Sequence, residues 1–294
     1  MGIFDDLTTR YRSSTLLVRL IYINVGIFIV LRLVALIGFL FNLPGDQMMH
    51  WVEVPSSLNA LLHHPWTVFT YMFCHYSIMH ILFNMLWLYW LGRIFLEYFN
   101  ARQLAGLYVL GGLGGAALYL LAYATLPYLA HRQAYLIGAS AAVMAIVTGV
   151  AVYAPHYRIG LLFIGDLSLK WMAIITIAIV LLGTGESNVG AQAAHIGGIL
   201  VGVAYGWQMR HGHDLTAWIN SCTDGLCNLF RPRRKAGVGK PAGGMAYQYR
   251  QAAGSNLPTE AEIDAILDKI KRSGWGALTD KEREILYSAS KQKT

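Results

Sequence analysis

Long apolar runs separated by short polar ones fill the first two thirds of the chain. The runs lack the polar stripe that an amphipathic surface helix carries. Most reach the roughly 20 residues that a helix needs to cross a bilayer. Six are readable, at about 18–42, 67–92, 104–126, 137–154, 169–184 and 191–209. The fifth is short and could begin earlier, at Leu161. The pattern predicts an all-α membrane protein, with a six-helix transmembrane core over 18–210 behind a cytoplasmic N-terminal segment, 1–17. That first segment, MGIFDDLTTRYRSS, is polar, and the run after it is too long for the core of a cleavable signal peptide.

After Trp207 the pattern changes. Residues 211–257 read as a flexible basic linker, Gly-rich from RPRRKAGVGKPAGG onward. Residues 258–294 read as a cytoplasmic helical hairpin. Thr259 with Glu262 forms a capping-box pattern, and Ile263, Ile266, Leu267 and Ile270 follow at helical spacing. Gly274 closes this helix, and Thr279 with Glu282 opens a second one that runs to about Ser290. Two helices this short bury little surface, so the hairpin is expected to dock on an unknown partner or to self-associate.

Composition agrees with the pattern. Of 294 residues 55% are hydrophobic and 13% charged, against about 25% charged in soluble domains; mean hydropathy is +0.44. The net charge of +7 does not point to nucleic acid, because of where it sits. Segments 43–66 and 185–192 hold no Lys or Arg, and 127–136 holds only Arg132. The alternate side carries Arg10, Arg12, Arg19, Arg93, Arg102, Arg158 and Lys170, then the cluster Arg231, Arg233, Arg234 and Lys235. The positive-inside rule then puts both termini in the cytoplasm of a cell (inner or plasma) membrane. The basic cluster is expected to sit on anionic lipid. Arg32, in the outer part of the first span, reads as snorkelling to the outer surface. Loop 43–66, with Pro44, Trp51, Pro55 and Trp66, is apolar enough to lie in the interface and support the core from the side. Cys74, Cys222 and Cys227 suggest no disulfide framework, and with His211 and His213 they fit no usual zinc spacing. No metal and no cofactor is expected.

This orientation sorts the polar residues of the spans by depth. Spans two, four and six enter from the outer face. Ser140 lies near the outer end of span four and His195 near that of span six, while His75, His80 and Asn84 follow the start of span two. His80 and Asn84 are four apart and share a face. His75 is turned well away from His80, so the three are not expected to share one role. Each of these residues could simply make an interhelical hydrogen bond, worth about 0.6 kcal/mol, but ionisable groups inside a membrane are functional candidates by default. Span six carries His195, Gly198, Gly202 and Gly206 on one stripe, and span four carries Gly138, Ala142, Ala145 and Gly149. Small residues at such spacing let helix backbones approach closely, which would bring the His195 imidazole to the Ser140 hydroxyl. Serine needs a neighbouring base to become a nucleophile, and His195 meets that need. His80, Asn84 and the Ser140 backbone N–H are candidate donors to an oxyanion. No buried Asp or Glu is available near His195 as a third member, so a dyad is implied.

With these residues in view, the chain resembles the rhomboid family of intramembrane serine proteases. The marks are HYSIMHILFN, the GAS at 138–140 and AHIGG at 194–198, in family order on spans two, four and six. The resemblance covers about residues 15–210 and excludes the tail. It implies Ser140 as nucleophile, His195 as general base, His80 and Asn84 as oxyanion-hole side chains, and His75 as an accessory histidine. It implies cleavage of the transmembrane segments of other membrane proteins near their outer ends, without cofactor and through an acyl-enzyme. Three positions depart from the family. Ala141 stands where Gly is common, adding a methyl expected to push spans four and six slightly apart. Met144 stands where an aromatic residue stacks on the catalytic histidine, though a thioether can pack on a ring edge. Thr67 stands where an Arg follows the loop Trp, here Trp66. The competing reading is an inactive rhomboid-like protein that binds or escorts membrane clients; relatives of that kind lack the nucleophile or the base, and this sequence keeps both. A transporter would need charges near the midplane or an internal repeat, and the sequence has neither.

Overall fold

The structure, a computed structural model, describes residues 8–9, 11, 13–42, 49–161, 165–182, 189–230, 260–273 and 278–290. They divide into two compact units, 1–230 and 231–294. In the first unit six apolar helices follow one another: α1 (Leu16–Leu40), α2 (Ile78–Tyr98), α3 (Ala101–Thr125), α4 (Ser140–Tyr153), α5 (Leu169–Leu182) and α6 (Val189–Arg210). Among the described residues four of these, α1, α2, α3 and α6, are long and apolar enough to cross a membrane. The other two, α4 and α5, have 14 residues each.

The ends of these helices follow from local chemistry. The Asn100 side chain accepts from the Gln103 backbone N–H while the Gln103 side chain accepts from the Asn100 N–H. This reciprocal cap satisfies two donors that the first turn of α3 would otherwise leave open. Ser77 accepts from the His80 N–H at 3.2 Å and starts α2. The apolar run expected to be one span at 67–92 is therefore broken. A short helix, Thr67–Thr70, and a 3-10 turn, Tyr71–Phe73, lead into an extended link at 74–77. Likewise α4 begins at Ser140 and not at 137, and Leu161 belongs to a strand, so α5 does not begin there.

Helix α4 is the centre of the unit: every residue from Ala141 to Ala151 is buried. Its neighbours reach it through glycines. A methyl added at Gly198, Gly202 or Gly206 of α6 would meet the backbone of Ala141, Ala145 or Gly149. Gly111 and Gly115 of α3 face the methyls of Ala145 and Ala141, and Gly197 abuts Gly114, so α6 packs on α3 as well. The face that α4 turns to α6 is thus Ala141, Ala145, Thr148, Gly149 and Val152. Of the expected row, Ala142 instead lies against Gly111 of α3. Thr148 donates to Met144 O at 2.7 Å and reaches Ile199 O of α6 at 3.3 Å. By contrast α1 is mostly bare, with Leu36, Phe39 and Leu40 among its exposed side chains. Its anchor is Asn24, fully buried, whose amide reaches Tyr108 Oη at 3.2 Å.

Two small antiparallel sheets complete the unit. Strand β1 (Val54–Pro55) pairs with β2 (Tyr135–Leu136), so the loop after α1 is stitched to the segment that leads into Ser140. Strands β3 (Arg158–Leu161) and β4 (Gly165–Ser168) form a hairpin between α4 and α5. Within the described part of the first loop, Trp66 Nε1 donates to Trp51 O at 2.8 Å and the two rings stack. Pro44 lies outside the described residues.

The 211–257 stretch is not all linker. Residues Ala217–Phe230 form a helix, α7, tied to the start of α3 by an Arg102–Asp224 ion pair at 2.9 Å. Gly106 gives room for Thr216 there. The cluster Arg231, Arg233, Arg234 and Lys235 lies outside the described residues. In the second unit are helices α8 (Glu260–Ser273) and α9 (Asp280–Ser290). Glu282 accepts from the Thr279 N–H at 2.8 Å and from Lys269 Nζ at 2.8 Å, capping α9 and joining it to α8. Thr259 and Gly274 lie outside the described residues.

Candidate active site

Ser140 is the first residue of α4, and Gly138 two residues earlier makes the turn into it. Gly138 has φ +126°, in the region that only glycine enters without strain. A Cβ there would also lie 2.8 Å from His80 Cε1 and Nε2, so the His80 ring edge occupies the space a side chain would take. The Gly138 N–H donates to Tyr71 O at 3.0 Å. Tyr71, itself buried, donates its hydroxyl to Gly112 O of α3 at 2.6 Å. The turn before Ser140 is thus fastened to the Tyr71 backbone, and Tyr71 is fastened to α3.

On the other side stands α6. His195 Nε2 lies 2.7 Å from Ser140 Oγ. His195 is one turn before Gly198, and the Gly198 contact with Ala141 sets the spacing of the two helices at that depth. His195 Nδ1 is buried and has no hydrogen-bond partner among the described residues. Among the described residues the pair is therefore a serine and a histidine with no carboxylate bonded behind the imidazole. As the first residue of a helix, Ser140 has a backbone N–H with no intrahelical acceptor, as do the two residues after it. These donors point out of the same helix end that carries Oγ.

The remaining sequence-derived candidates fall differently. His75 is not on α2 but in the link ahead of it, and its ring meets His80 edge to face at 5.0 Å between centroids. The expectation that the two histidines point apart is corrected here, because the helix start at Ser77 folds the link back over the first turn of α2. His75 is fully buried, and neither ring nitrogen has a partner among the described residues. Asn84 is buried and donates its amide to His80 O at 3.0 Å, one turn back on its own helix. No hydrogen bond joins Asn84 to Ser140 among the described residues. Met144 is buried one turn after Ser140, with its carbonyl taken by Thr148. The Ala141 methyl does not separate α4 from α6. It points at Gly115 of α3, where glycine leaves space for it, and Gly198 still touches the Ala141 carbonyl.

The part of the site that the sequence reading passed over is its support. Tyr71 and the YVLGGLGGA run of α3 hold the turn before Ser140 and the flank of α4. The paired glycines were visible as a small-residue cluster on a span, the same signal that drew attention to α6. Thr67, in place of an Arg, is buried and donates to His64 O at 2.7 Å, closing a local turn.

Comparison with known proteins decides the family. A rhomboid domain model matches residues 62–212, half of the chain. The chain belongs to the rhomboid family. It is an integral membrane protein, mostly helical. It is similar to presenilin-associated rhomboid-like protein A, mitochondrial, of Danio rerio, with 27% identity over 179 residues covering 58% of this chain and 43% of that one. It is also similar to the rhomboid protease GlpG of Salmonella typhimurium, with 42% identity over 65 residues, or 22% and 23% of the two chains. The chain thus spans less than half the length of these relatives. Residues 257–292 match a second family model, a family of unknown function (DUF6576).

Proposed function

We propose that this rhomboid is an intramembrane serine endopeptidase that cleaves the transmembrane segments of other membrane proteins with a Ser140–His195 dyad. The observation that carries the reading is the 2.7 Å separation of Ser140 Oγ and His195 Nε2, within the reach that general-base catalysis needs. His195 Nε2 takes the hydroxyl proton as Oγ attacks the carbonyl carbon of the scissile peptide. Negative charge then gathers on the carbonyl oxygen, and the free N–H groups at the start of α4 are its nearest fixed donors. His80, whose ring edge lies over Gly138, supplies a side-chain donor on the same side; Asn84 holds the first turn of α2 beneath it. As the tetrahedral adduct collapses, His195 returns the proton to the leaving amine. Water, deprotonated by the same nitrogen, then hydrolyses the Ser140 ester.

The proposed topology is six spanning helices in the cell membrane with both termini cytoplasmic. The shorter α4 then starts below the outer surface, which puts Ser140 in a water-accessible recess near that face. A client helix must unwind locally to offer its carbonyl there. The tail hairpin, α8 and α9, forms a separate cytoplasmic domain behind a basic linker. The test is cleavage in proteoliposomes of a panel of single-span reporter proteins, with product masses read by mass spectrometry. Wild type is expected to cut within or beside the outer third of a span, and Ser140→Ala to cut none. Cleavage that persists in Ser140→Ala, or that falls only in soluble loops, contradicts the reading.

A further inference from the structure

At the end of the bundle where Ser140 sits, but outside the dyad, a cavity of about 500 Å3 opens between the first loop and the end of α3. Its walls are Ser56 to Asn59 on one side, Tyr123 and Ala124 on a second, and Ala130 to Gln133 on a third. The pairing of chain segments builds it. Ser56 N–H donates to Ala134 O at 2.9 Å, Ala134 N–H donates to Ser56 Oγ at 3.2 Å, and Ser56 Oγ donates to Arg132 O at 3.3 Å. The shape therefore does not depend on an occupant. The volume lies in the roughly 300–1,000 Å3 range of small-molecule sites.

Arg132 is the one charged side chain among the described lining residues, beside the His131 ring and the amides of Asn59 and Gln133, and none of them is a carboxylate. Arg132 is the only Lys or Arg between Arg102 and Arg158. Its guanidinium lies over the Tyr128 ring at 4.2 Å, and it pairs with no carboxylate among the described residues. Stacking fixes the plane of the guanidinium and leaves its N–H edges open for a planar or tetrahedral oxyanion. In the segments that carry the lining, Leu58, Leu62, Leu126 and Tyr128 are exposed apolar side chains, and Trp51 and Trp66 of the first loop stack on each other.

We propose that this cavity binds the phosphate of an anionic phospholipid, with the acyl chains leaving across the apolar rim. A choline cation would meet like charge from Arg132, which already covers the Tyr128 ring, and no carboxylate among the described lining residues.

The test uses delipidated full-length protein in detergent, titrated with short-chain phosphatidylglycerol or phosphatidylcholine and read by native mass spectrometry. Wild type is expected to hold one phosphatidylglycerol about tenfold more tightly than phosphatidylcholine, the scale of one charge-assisted contact. Arg132→Gln should erase the preference, and Arg132→Lys should keep part of it. Arg93→Gln, on exposed α2 surface, should leave it intact. Arg132 is exposed, so these variants are expected to unfold at the wild-type temperature. Equal binding of the two lipids by wild type, or an undiminished preference in Arg132→Gln, overturns the proposal. Displacement of phosphatidylglycerol by inorganic phosphate would assign the cavity to a soluble anion and overturn the lipid.

Discussion

Replacing Gly198 by Ala adds one methyl at the contact that sets the distance between the two dyad helices. The new Cβ would lie 2.8 Å from Ala141 C and 2.9 Å from Ala141 Cα, and it meets backbone, which cannot rotate away. Carbon atoms pack at about 3.5 Å, so α6 must retreat from α4 by at least about 0.7 Å. His195 is one turn from residue 198 and moves with the helix. Its 2.7 Å approach to Ser140 Oγ then opens to about 3.4 Å, outside the roughly 2.6–3.2 Å window for proton transfer. Misplacement on this scale costs on the order of 100-fold in rate, and overpacking costs about 1–3 kcal/mol in stability. The assay is the rate of labelling by a fluorophosphonate probe in detergent, alongside thermal unfolding of the same sample. Gly26→Ala is the control, because nothing lies within 4 Å of a Cβ there; it should label at the wild-type rate. If folded Gly198→Ala also labels at the wild-type rate, the glycine contact does not set the dyad geometry and the reasoning fails.

Three further outcomes follow from other contacts. Tyr71→Phe removes the 2.6 Å bond to Gly112 O while keeping the ring; it should lower stability by about 1 kcal/mol and slow probe labelling, since the Gly138 turn hangs on residue 71. Labelling at the wild-type rate would separate Tyr71 from the site. Thr148→Val removes the donor shared between Met144 O and Ile199 O and should cost about 0.6 kcal/mol with no change in labelling. In the tail, Lys269 and then the Thr279 backbone and hydroxyl hold the Glu282 carboxyl down to about 2 from its ordinary 4.5. A depressed carboxylate contributes stability that is fully present above its unfolded value and lost as pH falls towards 2. Amide protection in 278–290 of the full-length protein, taken relative to intrinsic exchange at each pH, should therefore fall over that window in wild type. Glu282→Gln should be weakly protected throughout and show no such step.

The family motifs were legible because they combine spacing with chemistry that lipid does not tolerate idly: HYSIMHILFN, GAS and AHIGG each put polar groups in apolar runs. The glycine row of α6 was legible for the same reason that it packs, namely four-residue spacing on one face. What the pattern hid was backbone breaks inside apolar stretches. Nothing in the hydropathy of 67–92 marks the stop at Cys74 to Ser77, because a single serine hydroxyl capping His80 decides it. That break moved His75 off the helix and against His80. The two-residue strands β1 and β2 were invisible, being too short to show alternation. Helix α7 was read as linker because Asn220, Ser221, Thr223, Asp224 and Gly225 break up its apolar residues, although Arg102 and Thr216 tie it to α3. For Ala141 the sequence supplied the extra methyl but not its direction, and the compensating glycine, Gly115, lies on a helix not then linked to the site.

The central claim is that Ser140 is a nucleophile activated by His195. Intact-mass analysis after fluorophosphonate treatment of the folded, detergent-solubilised protein tests it most directly. The account predicts one covalent adduct, mapped by peptide sequencing to Ser140, absent from Ser140→Ala and strongly reduced in His195→Ala. A folded wild type that takes no label, or a Ser140→Ala variant that labels as fast as wild type, would contradict it.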